Sequence, residues 1–128
     1  MAKRVAAPKT RNAGTMTDAA FRSWVRSQLR RMSLRWRPIS EKRGEGQRPA
    51  NDADKKRWGK LIRVVNTCEG CGAWVPKSRL EIDHIVPCGS ITDIERDLGP
   101  FVMRMLCEKD GLRRLCPTCH QAVTNASR

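Results

Sequence analysis

The chain has 128 residues, of which 39% are hydrophobic and 30% are charged, and it contains no Tyr. A chain of this length predicts one domain, and so polar a composition predicts a thin core that an internal metal site would stabilise. No apolar run reaches the ~20 residues that a membrane span needs, and no hydrophobic stretch follows the basic N-terminus to make a secretory signal. We therefore expect a cytoplasmic protein without a membrane partner, whose six cysteines bind metal rather than form disulfides.

The positive charge is concentrated in one half of the chain. The formal net charge is +13. Residues 1–65 carry the whole excess, because residues 66–128 have equal numbers of basic and acidic side chains. This asymmetry predicts a segment that binds a polyanion, most simply duplex DNA through its backbone, attached to a neutral functional module. A solvated basic surface is the alternative.

Residues 1–16 show no periodicity and predict a disordered basic tail. Thr17 or Asp18 can cap a helix, which we expect over residues 18–35. Five residues at helical spacing predict its apolar face: Phe21, Trp24, Val25, Leu29 and Met32. Five arginines on its other faces are candidates for binding DNA phosphates: Arg22, Arg26, Arg30, Arg31 and Arg35. An ordinary solvated helix face is the alternative explanation of these arginines.

The segment after this helix is predicted from its turn residues and its spacing. Pro38 is expected to end the first helix, and residues 40–50 are polar and rich in Gly and Pro, which predicts a linker or an exposed loop. A second short helix is expected from Asn51 or Asp52 to about Val65. Residues 17–65 are therefore predicted to form a basic helical arm that binds DNA.

Four cysteines form two Cys-x-x-Cys pairs, which are the usual ligand spacing of a tetrahedral zinc site. We assign the structural zinc ligands as Cys68, Cys71, Cys116 and Cys119. Cys88 and Cys107 have no such partner and are interpreted as small buried hydrophobic residues. An exchange of one of them with one of the four ligands stays open.

The second half of the chain alternates strand and helix patterns and predicts an α+β fold. A strand is expected over Leu80–Ile85, where apolar and polar residues alternate. A helix is expected over residues 93–108, with a boundary at Gly99-Pro100. A second strand follows at Leu112–Leu115, and a last helix begins at Pro117 and carries His120.

The chain has only two histidines, and one of them follows an aspartate in the Asp83-His84 pair. A carboxylate suits a hard divalent cation such as Mg²⁺, and an imidazole can accept a proton from water near neutral pH. Neighbouring residues on an ideal strand point to opposite faces, so both side chains serve one site only if the strand is locally distorted, or if one side chain acts through the metal and the other through water. A purely structural hydrogen bond is the alternative.

Three motifs within residues 66–124 resemble those of the HNH endonucleases, which share the ββα-metal fold. The matching segments are CEGC at 68–71, EIDHIVP at 81–87 and LCPTCHQAVT at 115–124. The resemblance implies that residues 66–128 form a nuclease domain that hydrolyses DNA phosphodiester bonds. It implies that His84 is the general base, that Asp83 and His120 bind the catalytic Mg²⁺, Mn²⁺ or another divalent cation, and that the four cysteines bind structural zinc.

A looser similarity links residues 24–38 and 101–112 to small HNH proteins of tailed phages. It implies a location in the host cytoplasm and other phage DNA-processing proteins as partners. The chain departs from the family pattern at two positions. Gly111 stands where the family has Asn, which Asp110 or a backbone carbonyl would have to replace. Val123 stands where many members have Lys, which Arg113 or Arg114 would have to replace as a DNA-binding cation.

These departures keep alternative functions open. The first alternative is a catalytically impaired zinc-ribbon protein that binds DNA on an HNH scaffold. The second is a zinc-bearing protein that binds RNA or the ribosome, to which a strongly basic composition is also suited.

Overall fold

A computed structural model describes residues 4–126, which form a mixed α and β fold. The helices are α1 (Asp18–Ser33), α2 (Arg37–Gly44), α3 (Asp52–Trp58), α4 (Ile94–Met105) and α5 (Pro117–Ala126). The strands are β1 (Lys9–Arg11), β2 (Met16–Thr17), β3 (Arg48–Pro49), β4 (Val64–Thr67), β5 (Trp74–Pro76), β6 (Glu81–His84) and β7 (Leu112–Leu115). They pair antiparallel as three small sheets, β1-β2, β3-β4-β5 and β6-β7. The predicted mixture of helices and strands is confirmed.

The N-terminal region differs from the disordered tail that the sequence predicted. Residues 1–3 lie outside the described part of the chain, but β1 and β2 form a hairpin ahead of α1. Contacts with α1 hold this hairpin: Arg11 Nε donates to Asp18 Oδ1 at 2.9 Å, and its guanidinium lies 4.9 Å from the centre of the Phe21 ring. The partners that order the segment are outside it, so local periodicity could not indicate them.

Helix α1 begins as predicted, because the Thr17 side chain accepts a hydrogen bond from Ala20 N–H. Its predicted apolar face is only partly covered. Leu29 packs against the core, whereas Trp24 and Met32 are 48% and 47% exposed. Pro38 does not end this helix; it lies in the first turn of α2, where the missing N–H costs nothing. Half of the predicted 40–50 loop is therefore helical.

The second predicted helix is shorter than expected. Asn51, one of the two predicted starting residues, caps α3 in a reciprocal pair with Asp54, but α3 ends at Trp58 and Gly59 follows with φ +121°. Val65, where that helix was expected to end, is fully buried within β4, between β3 and β5. A single buried apolar residue fits either element, and pairing with β5 decides the outcome.

The predicted boundary between residues 65 and 66 falls inside β4. Buried polar groups then join the two halves. Asn66 is fully buried and donates from Nδ2 to the carbonyl oxygens of Arg43 and Glu45 at 2.8 and 3.0 Å. Trp36 Nε1 donates to the carbonyl oxygen of Cys107 at 2.6 Å. The predicted arm is therefore packed onto the cysteine-rich half.

Two apolar clusters form the core. The first surrounds the cysteines: Cys68, Val75, Leu80, Leu115 and Cys116. The second contains Ile91, Phe101 and Met105, and Leu29 of α1 packs on it. Because Phe101 and Met105 lie buried one turn apart, α4 continues through Gly99-Pro100, where the sequence predicted a boundary. No helix within residues 4–126 combines the length and the apolar character that crossing a bilayer requires.

Candidate metal centre and adjoining cavity

The four cysteines of the Cys-x-x-Cys pairs come together, and all four Sγ atoms lie within 4.8 Å of one another. Cys68 follows β4, and Cys119 is in the first turn of α5. Glycines make this approach possible. A Cβ on Gly70 would lie 3.0 Å from Cys119 Sγ, and Gly72 adopts φ +75° in the turn. The group could hold a metal ion such as zinc, as its sequence predicted.

Hydrogen bonds prepare this group for a cation. Burial opposes ionisation of the Cys68 thiol, but backbone N–H groups of Cys116, Cys71 and Gly70 lower its pKa to about 6. The neighbouring sulfurs of Cys116 and Cys68 raise the pKa of Cys119 to about 12. The thiolate of Cys68 is therefore favoured, and that of Cys119 is resisted unless a positive charge enters. A divalent cation supplies that charge.

The other two cysteines are not part of this group. Cys88 and Cys107 are half-buried rather than fully buried, and burial raises the pKa of both thiols. The four-cysteine group is complete without either of them. The exchange that the sequence left open is therefore not needed.

Three further side chains singled out from the sequence line one cavity of about 670 Å³: Asp83, His84 and His120. Asp83 and His84 lie on β6, which pairs with β7, and His120 lies on α5. His120 Nε2 is 3.8 Å from Asp83 Oδ1. Within residues 4–126, these two do not belong to a group of three or more candidate ligands as close as the cysteines.

The end of β6 explains how adjacent residues reach one cavity. His84 is the last residue of the strand, and Ile85, Pro87 and Cys88 continue around the same cavity. The chain therefore turns where an ideal strand would send the two side chains to opposite faces.

A backbone carbonyl orients His84. Its Nε2 lies 2.8 Å from the carbonyl oxygen of Met105, in the last turn of α4, where carbonyls lack helical partners. Because a carbonyl only accepts, Nε2 carries the hydrogen and Nδ1 keeps a lone pair. Sequence reasoning missed this contact, since a backbone acceptor leaves no signal in residue type.

A carboxylate orients His120. Its Nδ1 lies 3.0 Å from Glu81 Oε2, so Nδ1 carries a hydrogen, and in the neutral ring the lone pair is on Nε2, which lies 3.8 Å from Asp83 Oδ1. Glu81 was not singled out from the sequence. A usable signal existed, because residues 81 and 83 share one face of a strand.

The two arginines of β7 have different roles. Arg113 is opposite Asp83 in the sheet, donates to Asp83 Oδ2 at 2.9 Å and lines the cavity. Arg114 has a side chain that is 9% exposed and donates to the carbonyl oxygens of Thr67 and Lys42. The Arg114 guanidinium is buried inside the fold, which argues against its predicted contact with DNA.

The close approach of Cys107 explains why residue 111 is a glycine. A Cβ there would lie 2.9 Å from Cys107 Sγ, so no other residue fits without movement. Its carbonyl oxygen accepts the N–H of Ile85 at 2.9 Å, directly after His84. A backbone carbonyl therefore braces this turn, as one of the two substitutes considered from the sequence would.

The arginines of α1 are placed unequally around the cavity. Arg30 lines it together with Asp83 and His84. Arg26 lines a second cavity of about 410 Å³ that Arg30 and His84 also border. Arg22 borders a separate depression beside Asp18. The side chains of Arg31 and Arg35 are exposed.

No known protein family, curated protein or solved structure matches this chain.

Proposed function

We propose that this protein is a DNA endonuclease of the HNH type, which hydrolyses phosphodiester bonds with a divalent metal and is stabilised by zinc on its four cysteines. One observation carries the proposal: Asp83, His84 and His120 converge on one cavity that Arg30 and Arg113 also line. A carboxylate, two oriented imidazoles and two guanidinium groups suit an anionic substrate that must be attacked by water.

The distance between Asp83 and His120 is compatible with their binding one catalytic cation. Two ligands that each lie ~2.1 Å from one ion can be at most ~4.2 Å apart, and Asp83 Oδ1 and His120 Nε2 are separated by 3.8 Å. Mg²⁺ commonly takes one or two protein ligands and fills its other positions with water and phosphate oxygens. A cation held by these two residues would supply Lewis-acid stabilisation of the charge that develops on the phosphate.

His84 performs the proton transfer in this proposal. The Met105 carbonyl holds its Nε2–H, and the lone pair on Nδ1 accepts a proton from the attacking water. Arg113 fixes the Asp83 carboxylate through Oδ2 and leaves Oδ1 toward His120. The products are strands ending in 5′-phosphate and 3′-hydroxyl groups, and one such site cuts one strand at a time.

The basic helix supplies affinity for the substrate. Exposed arginines on α1 neutralise backbone phosphates and release counterions, which favours DNA of any sequence. The second candidate function, a zinc protein that binds DNA without cutting it, is favoured by the absence of a third close ligand beside Asp83 and His120 within residues 4–126.

A nicking assay separates the two functions. Supercoiled plasmid is incubated with zinc-loaded protein and Mg²⁺, Mn²⁺ or Ni²⁺, and relaxed circles are scored. The parent is expected to nick, and His84→Ala and Asp83→Asn to lose at least ~100-fold in rate, as removal of a general base or metal ligand does. Gln121→Ala, an exposed neighbour of His120 on α5, is the matched control and should nick like the parent.

Two outcomes would contradict the proposal, the first the nuclease function and the second the role of His84. In the first, the parent binds plasmid and leaves it supercoiled with every metal, which supports the binding protein. In the second, His84→Ala nicks as fast as the parent, which points to a contaminating nuclease or another base.

A further inference from the structure

Two cavities share His84 as a lining residue. The larger holds Asp83, His120 and Arg113, and the smaller holds Arg26, Ser33 and Met105. Arg30, Pro87 and Cys88 border both, so the two cavities adjoin along the inner face of α1. The proposed reaction uses only the larger of them.

The smaller cavity has the charge of an anion site. Arg26 and Arg30 are four residues apart on α1 and therefore lie on one side of it. The Nε of Arg26 is buried and has no hydrogen-bond partner within the described residues. No Asp or Glu of residues 4–126 lines this cavity. A buried guanidinium donor without an acceptor is costly, and a phosphate oxygen would satisfy it.

We propose that Arg26 and Arg30 bind a second DNA phosphate, the neighbour of the one being hydrolysed on the same strand. This inference rests on the proposed nuclease function. A DNA strand that places one phosphate beside His84 and His120 continues past His84. The adjoining cavity then receives the next phosphate of that strand. Arg26 and Arg30 are then positioning residues, because they fix which phosphodiester faces the His84 base.

Positioning and general affinity have different kinetic effects. A cation that only adds affinity changes the dissociation constant and its salt dependence. A residue that holds the scissile bond in register also changes the rate at saturating DNA, because a displacement of ~1 Å can cost ~100-fold. The proposal therefore predicts a loss in rate that added protein does not restore.

The first experiment measures single-turnover nicking of plasmid by excess protein, at concentrations high enough to saturate the DNA. The Arg26→Ala variant, which keeps Arg30 beside the larger cavity, should cleave at least ~10-fold more slowly than the parent at saturation. Lys55→Ala is the control, since it removes the same charge from an exposed residue of α3 and should keep the parental rate. Equal saturated rates for both variants would overturn the proposal.

A second measurement does not depend on cleavage. The ¹⁵N-resolved Nε–H signal of Arg26 is followed while short duplex DNA is added to zinc-loaded protein without a catalytic cation. A bound phosphate should shift this signal and slow its exchange with water. An unmoved signal on DNA that is demonstrably bound would exclude the second phosphate site, whether or not the protein cuts. Absent nicking with a shifted signal would instead overturn the nuclease and keep the site.

Discussion

His120 Nδ1 and Glu81 Oε2 lie 3.0 Å apart across the contact between α5 and β6. Glu81 and Asp83 share one face of β6. On that face the Glu81 carboxylate orients the His120 ring at Nδ1, and the Asp83 carboxylate lies opposite Nε2. The pair is accessible to water, with side chains 36% and 49% exposed, so it contributes little to folding. Its effect is on the tautomer and direction of His120.

We therefore predict that Glu81→Gln weakens divalent-metal binding without destabilising the fold. An amide oxygen is a weaker acceptor than a carboxylate and holds the Nδ1–H less firmly. Partners of this kind are typically worth ~10-fold or more in metal affinity. Calorimetric titration of zinc-loaded protein with Mn²⁺ measures the effect, and Glu95→Gln on the exposed start of α4 is the control. Unchanged Mn²⁺ affinity in Glu81→Gln would contradict the positioning role.

Gly111→Ala is predicted to destabilise the protein by about 1–3 kcal/mol, because the new Cβ would lie 2.9 Å from Cys107 Sγ. Urea unfolding in the presence of zinc gives the free energy of unfolding. Cys107→Ala removes the obstructing sulfur, so the double variant should recover most of the loss relative to Cys107→Ala alone. The nearest remaining side-chain atom is Cys107 Cβ at 3.3 Å. Additive losses in the two single variants would show that the sulfur is not the cause.

The features predicted well from sequence are those whose signal is local. The Cys-x-x-Cys spacing indicates the four-cysteine group, and alternation indicates β6. Pro117 at the start of α5 and the position of His120 on that helix also follow from short-range pattern. In each case the residues that specify the element are the ones that form it.

The features predicted poorly depend on partners far along the chain. Val65 belongs to β4 rather than a helix because β5 pairs with it, and Arg114 is buried because Thr67 and Lys42 offer it carbonyl oxygens. The orientation of His84 depends on a carbonyl of Met105, 21 residues away. Residue type carries no trace of a backbone acceptor, so no reading of the sequence could have found this contact.

Arg114→Met should destabilise the protein while Arg113→Met should not. The Arg114 guanidinium is buried and donates to two backbone carbonyl oxygens. Its loss leaves those oxygens without this donor, whereas Glu69 keeps Lys42 as its partner. Leaving buried acceptors without a donor costs about 1–3 kcal/mol. Arg113 is 32% exposed, so its removal should affect the free energy of unfolding by less than ~1 kcal/mol.

Unfolding midpoints in urea, with DNA affinity measured on the same samples, distinguish the two arginines. An Arg114→Met protein that keeps its stability and loses DNA affinity would restore the original assignment of Arg114 as a DNA contact. The structure predicts instead that Arg114→Met lowers the stability of the protein and Arg113→Met does not.

Zinc binding by the four cysteines and divalent-metal binding by Asp83 and His120 are predicted to be lost together. Cys119 and His120 are neighbours on α5, and the backbone N–H of His120 donates to the carbonyl oxygen of Cys116 at 2.9 Å. A cation held by the four cysteines would therefore fix the helix turn that carries His120. Cys116→Ser should lower bound zinc and reduce the free energy of unfolding by several kcal/mol, because metal binding contributes directly to folding.

The same variant should also bind Mn²⁺ at least ~10-fold more weakly, since Asp83 and His120 no longer meet in a fixed geometry. Cys88→Ser is the matched thiol control and should retain full zinc, because Cys88 is outside the four-cysteine group. Zinc is measured by atomic absorption and Mn²⁺ binding by calorimetry. A Cys116→Ser protein that loses zinc yet keeps parental Mn²⁺ affinity would show that the two sites are independent. The contact of His120 with Glu81 and the packing of Val123 would then hold α5 in place.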